Sequence, residues 1–434
     1  MGENRQMRQM KNSGIEWIGE IPEYWICVKL KNKLIANDGG IWGNDPKSDG
    51  CDKIVIRSTE QTIDGKWEIN DPALRDLSGT HYANCRILPD DLLVTKSSGS
   101  SLHIGKTTIA DEYFIGHECY YSNFIQRLRI QDNAKYIWYI LNSPIAREQF
   151  VYLQNSTSGI GNINANNINN IYVTYPPVAE QQKIVECLDN KCANIDGLIA
   201  DIQAEIDTLE QYKRSVITET VTKGLTPNVE MRDSAVQWLG YIPSHWECTR
   251  GKYVLTYMQK PVKPSDGVIT CFRDGQVTLR SNRREDGFTM ADKEIGYQGI
   301  DIGDLVVHGM DGFAGAIGIS DSRGKASPVL NVLDTAQNKR YIMYYLRSMA
   351  FNDVFTAMST GIRVRSCDLR WNKLAELLYP IPPLAEQDKI VEYIDETLKS
   401  VNEVIGDKRS QIDTLDSYKK SIIFEYVTGK KEVI

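Results

Sequence analysis

An internal repeat constrains this chain more than any other feature, because a sequence that uses one unit twice must fold as two related structures. A tryptophan-containing stretch that begins at Ser13 recurs at Ser234, 221 residues later. A second stretch, which begins at Ala179, recurs at Ala385 with a separation of only 206 residues. Between these stretches the two copies match only at scattered positions. The repeat therefore predicts two modules with similar ends and different middles.

A long helix is predicted after each module, because paired prolines at 176–177 and 382–383 can open a helix without losing a hydrogen bond. Apolar residues then recur with the heptad spacing of a coiled-coil seam. These seam residues are Leu188, Ile195, Ile199, Ile202, Ile206 and Leu209 in the first helix, and Ile394, Leu398, Val401, Ile405, Ile412 and Leu415 in the second. Lys408 interrupts the second row, and Asn190, Asn194 and Gly197 predict a break in the first helix. The alternative is an ordinary amphipathic helix packed on its own domain.

These segments divide the chain into modules at 1–177 and 225–383 and helical regions at 178–224 and 384–434. Short apolar runs at 54–56, 92–94 and 305–307 are bounded by Gly, Asp and Ser, as strands are. Residues 133–141 and 339–346 each predict a helix. The predicted fold class is therefore α+β. Two globular mixed α/β modules alternate with two long helices, which pair as an antiparallel coiled coil with a pseudo-two-fold axis.

The net charge of −7 is concentrated in the helical regions. Residues 178–224 carry five basic against nine acidic side chains, and residues 384–434 carry eight against eleven. A basic face on either module therefore remains compatible with binding to phosphate. No apolar run reaches the about 20 residues of a membrane helix, and the polar N-terminus lacks the apolar core of a secretory signal. A cytoplasmic location without membrane association is expected.

The partial matches to catalytic and metal-binding motifs each lack a required residue. Gly105, Lys106 and Thr107 resemble the end of a phosphate-binding loop, but position 100 is serine where such a loop has glycine. Tyr175 and Ile381 precede the proline pairs, where an adenine methyltransferase would need Asn or Asp. Val94 occupies the acid position of a nuclease motif, and His117 lacks the partners of a zinc site. No catalytic residue, metal site or cofactor is therefore predicted in this chain.

Three repeated motifs carry a resemblance to a known family. Each helix opens on Pro-Pro-[Val/Leu]-Ala-Glu-Gln, each module begins with Trp-[Ile/Leu]-Gly-x-Ile-Pro-x-x-Trp, and each contains a Ser-Thr-x-Gly-Ile stretch near its end, at 156–160 in the first copy. In the second copy, at 359–362, that stretch lacks one intervening residue. This organisation resembles the specificity subunits of type I restriction-modification systems across almost the whole chain.

The resemblance implies a DNA-binding protein without catalytic activity. Each module would be a target-recognition domain for one half of a bipartite site in double-stranded DNA, and the helices would set the spacer and dock two methyltransferase subunits. Restriction and translocase subunits would complete the enzyme. S-adenosylmethionine, ATP and Mg²⁺, used in DNA methylation and restriction, would belong to those partners. The alternatives are a specificity subunit of a fused methyltransferase-nuclease system and a coiled-coil scaffold that does not bind DNA.

Residues that contact DNA are predicted from side-chain chemistry. Base edges are read by Arg, Lys, Asn and Gln, and phosphates by basic and hydroxyl side chains on loops. The predicted DNA-binding residues are Arg57, Ser58, Lys66, Lys96, Ser97, Ser98 and Lys106 in the first module, and Arg273, Arg280, Ser281, Asn282, Arg283, Arg284, His308 and Lys325 in the second. The basic cluster at 280–284 is the strongest local signal, although such a cluster is often only a solvated face.

Overall fold

A computed structural model describes residues 8–47, 51–78, 82–157, 160–283, 294–358 and 369–433, which form two compact units. The first unit comprises Met1–Asp201 and Ser410–Ile434, and the second comprises Ile202–Arg409. Each unit thus combines one module with a part of each long helix.

The first unit is built mainly from short strands. Its strands are β1 (Met10–Asn12), β2 (Glu20–Pro22), β3 (Ile26–Lys29), β4 (Leu34–Gly39), β5 (Lys53–Ile56), β6 (Ala73–Arg75), β7 (Leu92–Thr95), β8 (Ser97–Ser98), β9 (Thr107–Ile109), β10 (Cys119–Tyr121), β11 (Ile125–Ile130), β12 (Asn155–Thr157), β13 (Ile160–Asn162) and β14 (Tyr172–Tyr175). Its short helices are α1 (Tyr113–Gly116), α2 (Ala134–Asn142), α3 (Pro144–Leu153) and α4 (Ala165–Asn169), with 3-10 turns at Leu30–Lys33, Ser58–Glu60, Ala83–Cys85 and Ser101–His103.

A four-stranded antiparallel sheet in the order β4-β11-β7-β9 forms the centre of the first module. All four residues of β7 are buried, which explains why its sequence is a continuous apolar run instead of an alternating one. A smaller sheet, in the order β10-β5-β6, packs around a separate core. The strands predicted at 54–56 and 92–94 are confirmed.

The second unit contains the same kinds of element. Its strands are β15 (Met231–Asp233), β16 (Tyr241–Pro243), β17 (Glu247–Arg250), β18 (Leu255–Met258), β19 (Ile269–Cys271), β20 (Val277–Leu279), β21 (Gln298–Ile300), β22 (Leu305–His308), β23 (Ile317–Ile319), β24 (Gly324–Ala326), β25 (Leu330–Thr335) and β26 (Leu378–Ile381). Its short helices are α6 (Gly251–Val254), α7 (Lys339–Phe351), α8 (Val354–Ala357) and α9 (Trp371–Glu376), with 3-10 turns at Arg280–Asn282 and Gly312–Ala314.

The central sheet of the second module has the order β18-β25-β22-β23, and all its neighbours are antiparallel. Its strands occupy the places of β4, β11, β7 and β9, so the two modules share one sheet topology. The strand predicted at 305–307 is confirmed. Helix α7 confirms the predicted helix at 339–346 but continues to Phe351, where Asn352 stands at its C-cap.

The two long helices are α5 (Val178–Lys223) and α10 (Leu384–Val427). At the start of each, a glutamine side chain donates a hydrogen bond to the carbonyl of the first proline, over 2.9 Å from Gln181 and 2.8 Å from Gln387. The predicted break in α5 is wrong, because the helix continues through Asn190, Asn194 and Gly197. All three residues are exposed, so their low helix propensity costs roughly 1 kcal/mol or less each and packing of the opposite face outweighs it.

Contacts between segments of α5 and α10 give their direction within each unit. In the first unit Cys187 contacts Tyr426, and Lys419 Nζ lies 2.5 Å from Asp196 Oδ1. In the second, Lys408 pairs with Glu205, and the carboxylate of Glu386 lies beside Gly224. Residue numbers rise along one helix as they fall along the other, so the segments run antiparallel in each unit.

The predicted seam faces these contacts. None of its twelve residues is exposed: six are buried and six are half-buried. The buried members are Leu188, Ile195, Ile206, Ile394, Val401 and Ile405. Lys408, which replaces an apolar residue in this row, is half-buried and turns its amine to Glu205. The interruption is thus accommodated by an ion pair while the aliphatic stem stays in the seam.

Each module is anchored to helix segments of its own unit by matched hydrogen bonds. The buried Trp25 donates its Nε1–H to Glu180 over 3.0 Å, and the buried Trp246 donates to Glu386 over 3.1 Å. Tyr136 donates to the Val427 carbonyl over 3.3 Å, where α10 ends. Tyr341 likewise donates over 3.1 Å to the carbonyl of Val221, near the end of α5.

Candidate nucleic-acid interface

Lys96 lies where β7 ends, beside the main chain of a neighbouring strand. An ideal Cβ on Gly39 would stand 3.5 Å from Lys96 Nζ, so the glycine leaves space for the ammonium group. Burial lowers the pKa of Lys96, and no hydrogen bond or ion pair of its ammonium is found within the described ranges. Taking a cation out of water without a partner is costly. An anionic or carbonyl-bearing ligand would therefore stabilise this side chain.

The two serines after Lys96 are held in a small sheet. Strand β8 pairs with β13, and Ser97 Oγ donates a 2.8 Å hydrogen bond to Asn162 Oδ1. Ser98 Oγ accepts from the Ser100 amide over 3.2 Å. The structure thus brings the predicted segment 96–98 against the strand after the Ser-Thr-Ser-Gly-Ile stretch. Sequence comparison alone had not connected the two.

Side-chain amides lie next to this segment and were not predicted. Gln126 Nε2 donates to Asn37 Oδ1 over 2.6 Å, and Asn37 Nδ2 donates to Asn169 Oδ1 over 2.8 Å. Amide side chains are suited to hydrogen-bond base edges. A signal was present in the sequence, since residues 162–170 contain six asparagines. Two of them cap α4, Asn164 and Asn167, so composition alone could not separate binding from structure.

Three predicted residues of the first module form a structural cluster instead of a DNA-binding surface. Lys106 is 4% exposed, and its Nζ donates to the carbonyls of Ser58 and Gln61 over 2.8 and 2.7 Å. Its prediction as a DNA contact is corrected, because the amine is buried and already satisfied. Arg57 pairs with Glu60 of the 3-10 turn Ser58–Glu60 at 2.5 Å and donates to the Asp71 carbonyl. Its guanidinium is therefore engaged in structural contacts.

Lys66 joins a hairpin to the long helices. Its Nζ lies 2.8 Å from Asp196 Oδ2 on α5, and Asp196 also receives Lys419 from α10. Burial raises the pKa of Asp196, but hydrogen bonds from Lys419 and Lys66 outweigh it and hold that pKa below its usual value. Lys66 is thus committed to an ion-pair triad that fastens the module to both helices.

In the second module, three of the predicted residues, Arg273, Arg283 and His308, each bond to an aspartate. Arg273 Nη2 donates to Asp311 Oδ1 over 2.9 Å, and Arg283 Nη1 lies 2.8 Å from Asp274 Oδ2. His308 Nδ1 accepts the amide hydrogens of Met310 and Asp311 over 3.2 and 2.9 Å, and burial lowers its pKa. A neutral His308 thus orders the loop that positions the partner of Arg273.

The remaining predicted residues of the second module lie in the 3-10 turn after β20 and on β24. Arg280 Nε donates to Thr270 Oγ1 over 3.0 Å, and Asn282 Nδ2 donates to Thr278 Oγ1 over 2.8 Å. Ser281 is exposed between them. Lys325 pairs with Glu294 at 2.7 Å. Arg284 and the second Ser-Thr-Gly-Ile stretch, at 359–362, lie outside the described residues.

The described residues contain no group of three His, Cys, Asp or Glu side chains placed to hold a metal ion, and none of their helices is long and apolar enough to cross a membrane. The eight described cysteines are free, and burial raises the pKa of the Cys27 and Cys119 thiols to about 11. Thiols that stay protonated near neutral pH are poor nucleophiles.

Comparison with known proteins supports a DNA-binding class. Residues 55–208 match a family model described as the type I restriction modification DNA specificity domain. A solved structure, from work on the complex assembly and conformational transition of the type I restriction-modification system, superposes with a TM-score of 0.65. That match covers 95% of this chain and 99% of the other at 14% sequence identity, which shows a shared fold. Residues 55–208, which span most of the first module and the adjoining part of α5, are thus similar to a DNA specificity domain.

Two curated relatives extend the similarity to nearly the whole chain. The putative type I restriction enzyme MjaX specificity subunit of Methanocaldococcus jannaschii is 24% identical over 434 residues, which is 96% of either chain. The StySPI specificity subunit of Salmonella potsdam is 20% identical and covers 95% of this chain and 90% of its own. Over nearly its whole length, the chain is thus similar to type I restriction enzyme specificity subunits.

Proposed function

We propose that each module reads one half of a bipartite DNA site and that α5 and α10 fix the spacer between the halves. The observation that carries this proposal is the matched pair of central sheets, β4-β11-β7-β9 and β18-β25-β22-β23. Two modules on one topology, each anchored by a tryptophan to its own helix start, provide two readers that differ at the surface. A split site needs such a pair.

The first module would read DNA through Lys96, Ser97, Ser98 and the neighbouring amides, and the second through Arg273, Arg283 and the loop held by His308. Lys96 suits a phosphate, because its ammonium is half-buried with no partner of its own in the described residues. Arg283 stacks 4.2 Å from the Phe272 ring centre and pairs with Asp274, so its guanidinium is oriented before it meets a base or phosphate.

The helices would also dock two methyltransferase subunits at equivalent places. In the first unit, Leu198 and Tyr418 are 52% and 54% exposed at one level of the helix pair. Their repeat equivalents in the second unit, Val404 and Tyr212, are 45% and 48% exposed. Apolar side chains that recur in the open at matched positions favour two copies of one partner.

A non-catalytic role follows for this chain in the complete enzyme. S-adenosylmethionine, ATP and Mg²⁺ would be held by the methyltransferase and restriction subunits. The buried Lys106 favours this assignment, because its amine, the nearest approach to a phosphate-loop lysine, is bonded to two carbonyls.

Binding to a duplex series tests the reading function. The protein, mixed with its methyltransferase subunit at physiological salt, is titrated with a random duplex library, and the selected halves are then re-tested with the spacer varied by single base pairs. We expect one bipartite sequence at one spacer, bound about a thousandfold or more tighter than scrambled DNA. Equal affinity for all duplexes would favour the scaffold alternative. Equal affinity at all spacer lengths would refute the proposal that α5 and α10 fix the spacer.

The number of methyltransferase subunits in the complex tests the proposed docking surfaces. Leu198→Ser with Tyr418→Ser should reduce the complex from two methyltransferase copies to one in native mass spectrometry, and so should Tyr212→Ser with Val404→Ser. Retention of two copies in both double variants would contradict the proposed surfaces.

A further inference from the structure

A cavity of about 640 Å³ lies in the second unit, between the second module and its segments of α5 and α10. Its walls carry four basic side chains, two aromatic rings and one amide. These are Lys213 and Arg214 on α5, Arg273 on the hairpin that joins β19 and β20, Phe313 in the 3-10 turn Gly312–Ala314, Arg347 and Phe351 on α7, and Asn402 on α10. Its lining includes none of the residues proposed above for methyltransferase docking and only Arg273 of the proposed DNA-reading residues.

The basic side chains of this cavity are incompletely compensated. Arg347 donates from Nη2 to the Asp274 carbonyl over 3.0 Å, but its Nε is buried without a hydrogen-bond partner in the described structure. Burial lowers the pKa of Arg347, which shows that its positive charge is poorly solvated. Arg214 lies 5.6 Å and Arg347 5.5 Å from the centre of the same Phe351 ring. Two guanidinium groups therefore converge on one ring.

The carboxylates that line the cavity do not neutralise this pair. Glu210 bonds Lys213 at 2.9 Å, and Asp274 receives Arg283 at 2.8 Å. The third, Asp353, is exposed beside the start of α8.

The equivalent place in the first unit is closed by ion pairs. The hairpins at 62–66 and 272–276 correspond, because Thr62 and Phe272 each donate to the carbonyl four residues on, over 2.9 and 2.8 Å. Both hairpins turn through a glycine with positive φ, Gly65 at 80° and Gly275 at 91°. The triad Lys66–Asp196–Lys419 of the first unit corresponds to Gln276–Asn402–Lys213 in the second. Two of its three charges have become neutral amides.

Two further differences enlarge the positive character of the second unit. Arg347 stands where the first module has Asn142, and Phe351 stands where it has Ala146, both by the separation of 205 that relates Tyr136 to Tyr341. The second unit has thus lost the carboxylate that Asp196 provides and gained a guanidinium and an aromatic wall. The second unit therefore lacks an anionic group at the position that the Asp196 carboxylate occupies in the first.

We propose that this cavity binds a phosphoryl oxyanion between Arg347, Arg214 and Lys213, in the place that Asp196 fills with its carboxylate in the first unit. Guanidinium groups suit phosphate because their donors form paired, charge-assisted hydrogen bonds with two oxygens. The ring of Phe351 would hold both guanidiniums in position. This inference stands independently of DNA reading.

Calorimetric titration with inorganic phosphate at constant ionic strength tests the site in the full-length protein. The decisive variant is Asn402→Asp, which restores the carboxylate of the first unit and should weaken phosphate binding about tenfold or more by pairing with Lys213. Arg347→Gln should weaken it similarly. Lys389→Gln removes an exposed charge of the same unit and should bind phosphate as the wild type does. Circular dichroism checks that each variant is folded.

The proposal fails if the wild type shows no saturable phosphate binding, or if Asn402→Asp and Lys389→Gln bind phosphate equally. Duplex DNA then identifies the source of the anion. If DNA displaces phosphate from the wild type, a backbone phosphate occupies the cavity in the complex. If DNA and phosphate bind together, the ligand is a free phosphate or a nucleotide, which titration with ATP then distinguishes.

Discussion

The first and second modules share a framework and differ in how their functional side chains are satisfied. Both have the same four-stranded order, and in both a buried tryptophan donates to the glutamate that opens the following helix. The first module presents serine and amide side chains around Lys96. The second presents arginines that already hold aspartates, such as Arg273 with Asp311. Backbone pairing and buried anchors thus fix the scaffold, while surface groups are free to differ.

The contrast is sharpest where each module meets its helix segments. Asp196 binds two lysines in the first unit, whereas Asn402 stands at the equivalent position of the second. One unit is fastened by charge, and the other leaves a cavity lined by cations. A repeat can therefore preserve its topology while converting a structural contact into a candidate binding site.

Exchange of a whole module should have the largest effect on the difference between the two modules. Replacing residues 26–174 with the corresponding module of another specificity subunit should change one half-site completely and leave the other half-site and the spacer intact. Discrimination against the original half-site should reach about a thousandfold. Methylation-site sequencing of DNA exposed to the assembled enzyme measures this result. A change in both halves would refute independent reading.

The buried tryptophans should have the next largest effect. Trp25→Ala and Trp246→Ala each remove a buried ring and one hydrogen-bond donor to a glutamate, so each should cost about 3–5 kcal/mol of unfolding free energy. Hydrogen exchange followed by mass spectrometry should show faster exchange in the first unit for Trp25→Ala and in the second for Trp246→Ala. The exposed Tyr253→Ala should change neither. Equal acceleration of both units by either tryptophan variant would show that the anchors do not act locally.

Loss of the charged triad should lower the unfolding free energy by a smaller amount, and this effect should depend on pH. Asp196→Asn should destabilise the first unit by about 1–2 kcal/mol, because Lys66 and Lys419 lose their shared partner. Since the folded protein lowers the pKa of Asp196, its contribution is present above the unfolded-state value of about 3.9 and is lost as pH falls through the folded-state pKa. Urea denaturation across this range should show that step in the wild type and not in Asp196→Asn. An identical step in both proteins would exclude Asp196 as its source.

Single charge removals on the reading surfaces should have the smallest effect. Lys96→Gln should weaken DNA binding by about 1 kcal/mol and reduce the slope of log affinity against log salt by about one, as expected for one phosphate contact. Arg283→Gln should have less effect, because Arg283 already holds Asp274. Filter binding at several salt concentrations compares the two variants with Lys389→Gln. If Arg283→Gln weakened DNA binding more than Lys96→Gln, Arg283 and not Lys96 would be the more important phosphate contact.

The repeat, the long helices, their apolar seam and several strands could be predicted from the sequence. These follow from spacing along the chain, because helix and strand periodicities are local and need no knowledge of distant partners. The predicted helix break failed for the same local reason, since propensity at exposed asparagines carried no information about packing on the opposite face. The family resemblance rested on motifs at the repeated ends.

Which polar side chains are available to a ligand could be seen only in the folded chain. Lys66, Lys96 and Lys106 were all predicted from the sequence to contact DNA. In the structure, Lys66 pairs with an aspartate 130 residues away, and Lys106 is buried with its amine bonded to two carbonyls. The difference between Asp196 and Asn402 likewise became meaningful only when the equivalent lysines and hairpins were brought beside them. Ion pairing and desolvation depend on distant residues meeting in space, and one-dimensional spacing does not specify those meetings.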